Sequence, residues 1–337
     1  MEDIKVLYLS GAEVSRLGAG DMKTALAEVE EAFKLVYQGD CILPEKISMG
    51  FGKKLEDEST MGRINAMPAY LGGRFHMAGI KWIGSAPLNA KIGLPRASSI
   101  TILNDPETKF PICMMNGSEI SAGRTGASTG VAAKYLARKD AETLMLVGAG
   151  YQNRMQLEAI YCNVPNLKNF YVVDIIPEMG RKFAEEMGEK LGIEITPLTA
   201  IGQCKDRVDI SVNATSSPKP VMELSVVNPG GMHACIGGLD HPGLYQQAAR
   251  IYCDAWDQVK HRASCFRALD AIAGKITDED IYCPQIGAVI CGDKDPRRND
   301  EEFLYYKPVG MGTLDLAVAT RIYRNAREQG IGTWLDY

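Results

Sequence analysis

The stretch Leu144-Met145-Leu146-Val147-Gly148-Ala149-Gly150-Tyr151-Gln152-Asn153 constrains this chain more than any other. An apolar run of strand length ends in Gly-Ala-Gly, and the helix-compatible segment Arg154 to Ile160 follows. That order turns the free amides and the positive dipole end of a helix toward the turn, where they suit a pyrophosphate. A second apolar strand, Asn169 to Val173, ends at Asp174. This acid lies roughly 20 residues past the glycines, the spacing at which a dinucleotide fold binds the adenosine ribose. Asn153 stands where the third glycine of G-x-G-x-x-G would be, so the glycines alone leave open a βα unit with no ligand. The second strand and its acid favour a dinucleotide. Asp174 would repel a 2′-phosphate, and Ile175-Ile176-Pro177 offer no arginine to hold one, so NAD is expected over NADP.

A chain of 337 residues has room for two domains. Its net charge of −5, with no basic run, argues against nucleic acid or an anionic membrane as a partner. No apolar segment is long enough to span a bilayer, and Met1 to Lys5 lack a signal-peptide pattern, so a cytoplasmic location is expected. The nine cysteines are scattered singly, with no C-x-x-C pair, and the four histidines form no ligand pair at helical spacing. Neither disulfides nor a metal site, zinc included, is expected.

Along the chain, Val6 to Ser10 reads as an opening strand. Asp21 then caps a helix to about Gln38, with Ala25, Val29, Ala32, Phe33 and Val36 as its apolar stripe. Leu43 to Met49 is extended and carries Lys46 after a proline turn. Residues 63–71 and 76–83 predict paired strands joined at Gly72-Gly73, and 98–103 with 110–115 a further pair. An alanine-rich helix, Ala122 to Ala137, leads into the organising strand. Strand and helix then alternate to about residue 300 as in a doubly wound sheet, through strands near 194–197, 208–215, 232–237 and 250–254. The amphipathic tail helix, Thr313 to Arg327, is expected to return to the first domain and make it discontinuous.

Ligands of an open α/β sheet sit beyond the carboxyl ends of its strands. Asn213-Ala214-Thr215 and the glycine-rich turn that carries Asp240 both fall at such ends. Lys81 sits between Ile80 and Trp82-Ile83, and Arg124 opens the alanine-rich helix. A cation in apolar surroundings marks a partner or a ligand, and a substrate carboxylate would suit both. The competing readings are an exposed edge strand for Lys81, a helix-start salt bridge for Arg124 and a turn cap for Asp240. His233 and His241 read as structural.

Together, Gly79-Ile80-Lys81-Trp82, Arg124-Thr125-Gly126-Ala127 with Ala132 to Arg138, Val147-Gly148-Ala149-Gly150-x-Gln152 and Gly237-Gly238-Leu239-Asp240-x-Pro242-Gly243 resemble the ornithine cyclodeaminase/mu-crystallin family, in order and from about Ser10 to the last helix. The resemblance implies an α/β protein: a Rossmann-type doubly wound sheet over 123–305, plus a discontinuous α+β substrate and dimerisation domain over 1–122 and 306–337, forming a homodimer. By position, Lys81 and Arg124 would bind a substrate carboxylate, and Asp240 would hold the α-amino group or a water. Gly148, Gly150, Tyr151, Gln152 and Asp174, with Asn213, Ala214 and Thr215, would bind NAD. A further carboxylate-binding position, commonly Arg in the cyclodeaminases, falls at Lys46, which keeps the charge but loses the bidentate fork. Asp240 and Lys81 are thus the catalytic candidates, and the partner is an amino or imino acid. Family frequency favours ornithine cyclodeaminase, converting L-ornithine to L-proline and ammonia through an imine. An NAD-dependent amino-acid dehydrogenase, an imine reductase and a non-catalytic mu-crystallin-like binding protein are the alternatives.

Overall fold

The computed structural model describes residues 4–52, 61–217, 219–260 and 283–336. Cys265 and part of the expected strand–helix alternation lie outside them. The chain divides into two compact units, Met1–Arg124 with Gly310–Tyr337, and Thr125–Val309.

The first unit is built on a mixed sheet of β1 (Lys5–Leu9), β2 (Cys41–Ile42), β3 (Ile47–Gly50), β4 (Arg63–Leu71), β5 (Met77–Ser85), β6 (Ala97–Asn104) and β7 (Pro111–Asn116). A C-terminal strand, Thr333–Asp336, pairs antiparallel with β1 and was not anticipated from the sequence. The order runs from this strand through β1, β7, β6, β5 and β4 to β2, with β3 also on β4. Lys81 therefore lies on an interior strand, opposite Met67 on β4 and Thr101 on β6, and is buried. The edge-strand alternative for it does not hold.

One face of this sheet is covered by the helices Met22–Gln38 and Gly312–Gln329. Asp21 caps the former by accepting from the Thr24 amide, and Gly39 closes it in the left-handed conformation. The latter buries Leu314, Leu316, Val318 and Ile322, each worth roughly 1.5–3 kcal/mol if fully removed from water. Gly79 admits it: a Cβ there would fall 2.9 Å from Leu316 Cδ2. The alanine-rich helix begins at Ser118, whose amide is capped by Asn116 Oδ1, rather than at Ala122. Arg124 thus sits in the second turn, not at the start.

The second unit is a seven-stranded parallel sheet of β8 (Thr143–Val147), β9 (Asn169–Val173), β10 (Ile195–Leu198), β11 (Val208–Ala214), β13 (Val227–Gly237), β15 (Arg250–Tyr252) and β16 (Leu304–Tyr306), ordered β10-β9-β8-β11-β13-β16-β15. The order reverses direction at β8/β11, the switch point of a Rossmann-type fold. The buried β8 run, Leu144 to Val147, lies inside it between β9 and β11. The helix Tyr151–Asn163 packs on the start of Thr125–Val309 where Gly126 and Gly130 give it room, since a Cβ at either would meet Met155 or Ala159 backbone within 3 Å. Between β11 and β13 the expected helix is replaced by a short strand, β12 (Pro220–Met222), and a single 3₁₀ turn. Pro220 and Pro229 bracket this crossover and disfavour a longer helix. β12 pairs with β14 (Leu239–Asp240).

Candidate functional site

Glycine 148 takes φ +99°, a left-handed backbone, as β8 turns into its helix. A Cβ there would also lie 3.2 Å from Ala214 O and Thr215 Cγ2, so the loop is pressed against the end of β11. Gly150 is the N-cap of Tyr151–Asn163; no side chain caps this end, and the space beside Gly150 is open. Asn153, in the place of the third glycine, donates its side-chain amide to Val147 O and Gly148 O, and so braces the turn from below. Asp174, at the end of β9, accepts from the Ala149 amide at 2.8 Å and the Ile176 amide at 2.9 Å. A carboxylate has further lone pairs, so these bonds aim it without exhausting it. An uncapped helix end, a glycine turn and an acid at the next strand fit the pyrophosphate and ribose of a dinucleotide.

Asp240 stands at the centre of a buried polar cluster in the same unit. Gly238 takes φ +75°, and a Cβ on it would meet Thr215 Oγ1 at 2.3 Å, so glycine is what lets the turn bring Asp240 to β11. Asn213 Nδ2 donates to Asp240 Oδ1 at 2.6 Å and to Leu239 O at 3.1 Å, while its Oδ1 accepts from Thr215. Tyr305 donates its hydroxyl to Asp240 Oδ2 at 2.7 Å, and His233 Nε2 lies 3.1 Å from the same oxygen. Burial by itself would raise the Asp240 carboxyl. The neighbouring His233 imidazole, with the bonds from His233, Asn213 and Tyr305, outweighs it and holds the group well below the usual carboxylate range. The turn-cap alternative for Asp240 does not account for three side-chain partners. Asn213 is committed to Asp240 rather than turned to a ligand.

In the first unit Lys81, Arg124 and Asp315 are all buried. Arg124 Nε donates to Asp315 Oδ1 at 3.1 Å. Lys81 Nζ donates to Ser121 Oγ at 3.1 Å and pairs with Asp315 Oδ2 at 3.0 Å. Burial, and then the Arg124 cation beside it, pull Lys81 down to about 8, with Asp315 pulling back. Gly310, at φ +77°, makes room for the guanidinium: a Cβ would fall 2.8 Å from Arg124 Nη1. Lys46 is half-buried just before β3. Among the described residues no group of three or more His, Cys, Asp or Glu could hold a metal ion, and no helix is long and apolar enough to cross a membrane.

Residues 11–330 match the sequence profile of the ornithine cyclodeaminase/mu-crystallin family. The chain belongs to this family. Within the ornithine cyclodeaminase/mu-crystallin family it is 34% identical to the alanine dehydrogenase of Archaeoglobus fulgidus over 99% of both chains. The structure of Thermococcus litoralis Δ1-pyrroline-2-carboxylate reductase, in complex with NADH and L-proline, matches with TM-score 0.87 at 32% identity, over 97% of this chain and 99% of that one. An archaeal alanine dehydrogenase dimer with bound NAD matches with TM-score 0.86 at 33% identity, over 99% of this chain and 100% of that one. These relatives are amino-acid dehydrogenases and imine reductases that use NAD(H).

Sequence reasoning missed two residues of these buried clusters. Asp315 is far from Lys81 and Arg124 in the chain; its signal was an acid between Leu314 and Leu316 in a helix whose first turns are buried all round. His233, read as structural, touches Asp240. The signal there was Ser211 and Asn213 alternating with Ile210 and Val212 in a strand otherwise fit for burial on both faces.

Proposed function

We propose that this protein is an NAD-dependent oxidoreductase that interconverts a small L-α-amino acid and its imine by hydride transfer at the α-carbon. The observation that carries this reading is the charge of the buried trio. Lys81 and Arg124 are two cations on one carboxylate, Asp315, which leaves a positive charge suited to one more carboxylate. Arg124 can meet a carboxylate with parallel N–H donors and Lys81 with a point charge. Neutralising the acid end alone would not assist the reaction, because hydride loss builds positive charge at the α-carbon and nitrogen. Asp240 offsets that charge from a fixed position. NAD, when bound, takes the hydride, and in its reduced form returns it. Gly148, Gly150, Tyr151 and Gln152 would hold its pyrophosphate against the helix end, with Ala214 and Thr215 behind the loop. Asp174 would bind the ribose hydroxyls and exclude a 2′-phosphate.

The dehydrogenase and reductase among full-length relatives above 30% identity favour this over the cyclodeaminase activity that family frequency suggested. The test is a panel: L-amino acids with NAD, and cyclic imines or keto acids plus ammonium with NADH. Turnover with net change in NADH is expected. Proline and ammonia from ornithine with catalytic NAD, and no net NADH, would make it a cyclodeaminase. Tight NAD(H) binding with no turnover would leave a binding protein.

We further propose a homodimer formed through the uncovered face of the first unit's sheet. Ile47, Ala66, Trp82 and Ile100 are successive cross-strand partners on β3, β4, β5 and β6, and Ile47, Trp82 and Ile100 are exposed. A row of large apolar side chains on a sheet face calls for a cover, and a second copy is the occupant that the dimeric relative supports.

A further inference from the structure

Resting on the oxidoreductase reading, we propose that Asp240 acts as a permanently charged anion rather than as a proton acceptor, and that Ser211 and His233 are the positioning residues that keep it so. Strands at the centre of a parallel sheet are ordinarily apolar on both faces. Here β11, β13 and β16 break that pattern in one row: Ser211, His233 and Tyr305 are direct register partners, and all three are buried. Each would cost several kcal/mol if left unpaired. Instead they are joined toward one carboxylate. Ser211 Oγ lies 2.7 Å from His233 Nδ1, His233 Nε2 lies 3.1 Å from Asp240 Oδ2, and Tyr305 donates to the same oxygen.

Neutral or charged, the imidazole that fits this geometry carries a proton on Nε2. A neutral ring with its proton on Nδ1 would turn the bare Nε2 lone pair against an ionised carboxylate. With the proton on Nε2, the ring donates to Asp240 and Nδ1 accepts from the Ser211 hydroxyl, so every polar atom of the row is satisfied. The carboxylate calls for a proton on Nε2, and Ser211, by donating to Nδ1, stabilises the ring in the form that donates to Asp240. The groups facing Asp240 are His233 and Cys235 from β13, Asn213 from β11 and Tyr305 from β16, with Lys307 Nζ 3.0 Å from Cys235 Sγ behind them. None of them is a second carboxylate.

Three donors occupy Asp240, which leaves an acceptor direction on Oδ1 for the substrate nitrogen and makes the group a poor base. In the reducing direction the incoming hydride pair forms the C–H bond at the α-carbon. The C=N π pair moves to nitrogen, and nitrogen takes its proton from water. Asp240 is ionised before and after.

Two measurements test this. In free protein at pH 7.5, ¹⁵N spectra of the imidazoles, with His233 assigned by its loss in His233→Gln, should show a proton on Nε2; a ring protonated on Nδ1 and bare at Nε2 would overturn the proposal. In the enzyme, Ser211→Ala removes a hydroxyl that meets the imidazole and not the substrate. It should lower kcat about tenfold, leave the Kd for NADH within about twofold, and move the acid limb of kcat/KM to higher pH. Tyr305→Phe should move that limb the same way. A Ser211→Ala profile superimposable on wild type would also overturn it. Absence of wild-type turnover with every amino and imino acid would instead sink the oxidoreductase reading, and the tautomer would then decide whether the row holds Asp240 as described.

Discussion

Replacing Lys81 by methionine is expected to stabilise the protein and to disable it. The Lys81 ammonium is buried beside the Arg124 cation, and its fall from 10.5 to about 8 measures how strongly the fold opposes the charge. At about 1.4 kcal/mol per unit, that opposition is about 3 kcal/mol at neutral pH. Methionine of similar length removes it and leaves the Arg124–Asp315 pair intact. That figure is already net of the Asp315 attraction, so only the hydrogen bond to Ser121 is set against it, at about 1 kcal/mol. A net gain of about 2 kcal/mol at pH 7 follows. The pH dependence gives the sign independently. An unfolded lysine titrates near 10.5 and the folded one near 8, so between these values the unfolded chain binds more protons and wild-type stability climbs with pH. By pH 9.5 the climb is about 2 kcal/mol, and the methionine variant lacks it. Urea unfolding at both pH values reads this directly. The same variant turns the trio from net positive to neutral, so kcat/KM for the amino acid should fall at least about thirtyfold. A methionine variant less stable than wild type at both pH values, with unchanged kcat/KM, would refute the reasoning.

The remaining predictions follow from single contacts. In the wild type, KM for the amino acid should rise above about pH 8 as Lys81 loses its proton, with kcat less affected. Asp240→Asn should abolish turnover while calorimetry still detects NADH, because the glycine loop is untouched. Gly148→Ala forces a side chain into φ +99° and toward Ala214 O, and should weaken NADH binding about tenfold with little effect on unfolding of the first unit. Trp82→Glu places a charge in the row with Ile47 and Ile100; light scattering should then report a monomer, and an unchanged mass would exclude that face as the interface.

What was legible in the sequence was whatever is local. The turn at Gly148, its helix and the acid at Asp174 are consecutive elements, and each carries its own residue signature. Lys81 and Arg124 could be flagged because a charge inside an apolar strand or an alanine-rich helix is conspicuous. Their partner could not be found that way: Asp315 reaches them only after the chain has passed through the whole second unit. Its helix was read by its apolar stripe, and an acid in a first turn looks like ordinary dipole compensation. The Ser211–His233–Tyr305 row depends on strand order and register, which place β13 between β11 and β16 although β16 is far from both in sequence. The C-terminal strand was missed for the same reason, since Trp334 and Leu335 acquire a partner only through β1. The start of the helix at Ser118 was misplaced because its cap, Asn116, belongs to the end of β7.

The most direct test of the central claim follows the α-hydrogen itself. The protein is incubated with NAD and a panel of L-amino acids deuterated at the α-carbon, and the reduced dinucleotide is read by mass spectrometry. Deuterium on the nicotinamide from at least one amino acid is the expected result. Calorimetric binding of NAD with no deuterium transferred to it, and none lost from any amino acid, would contradict it.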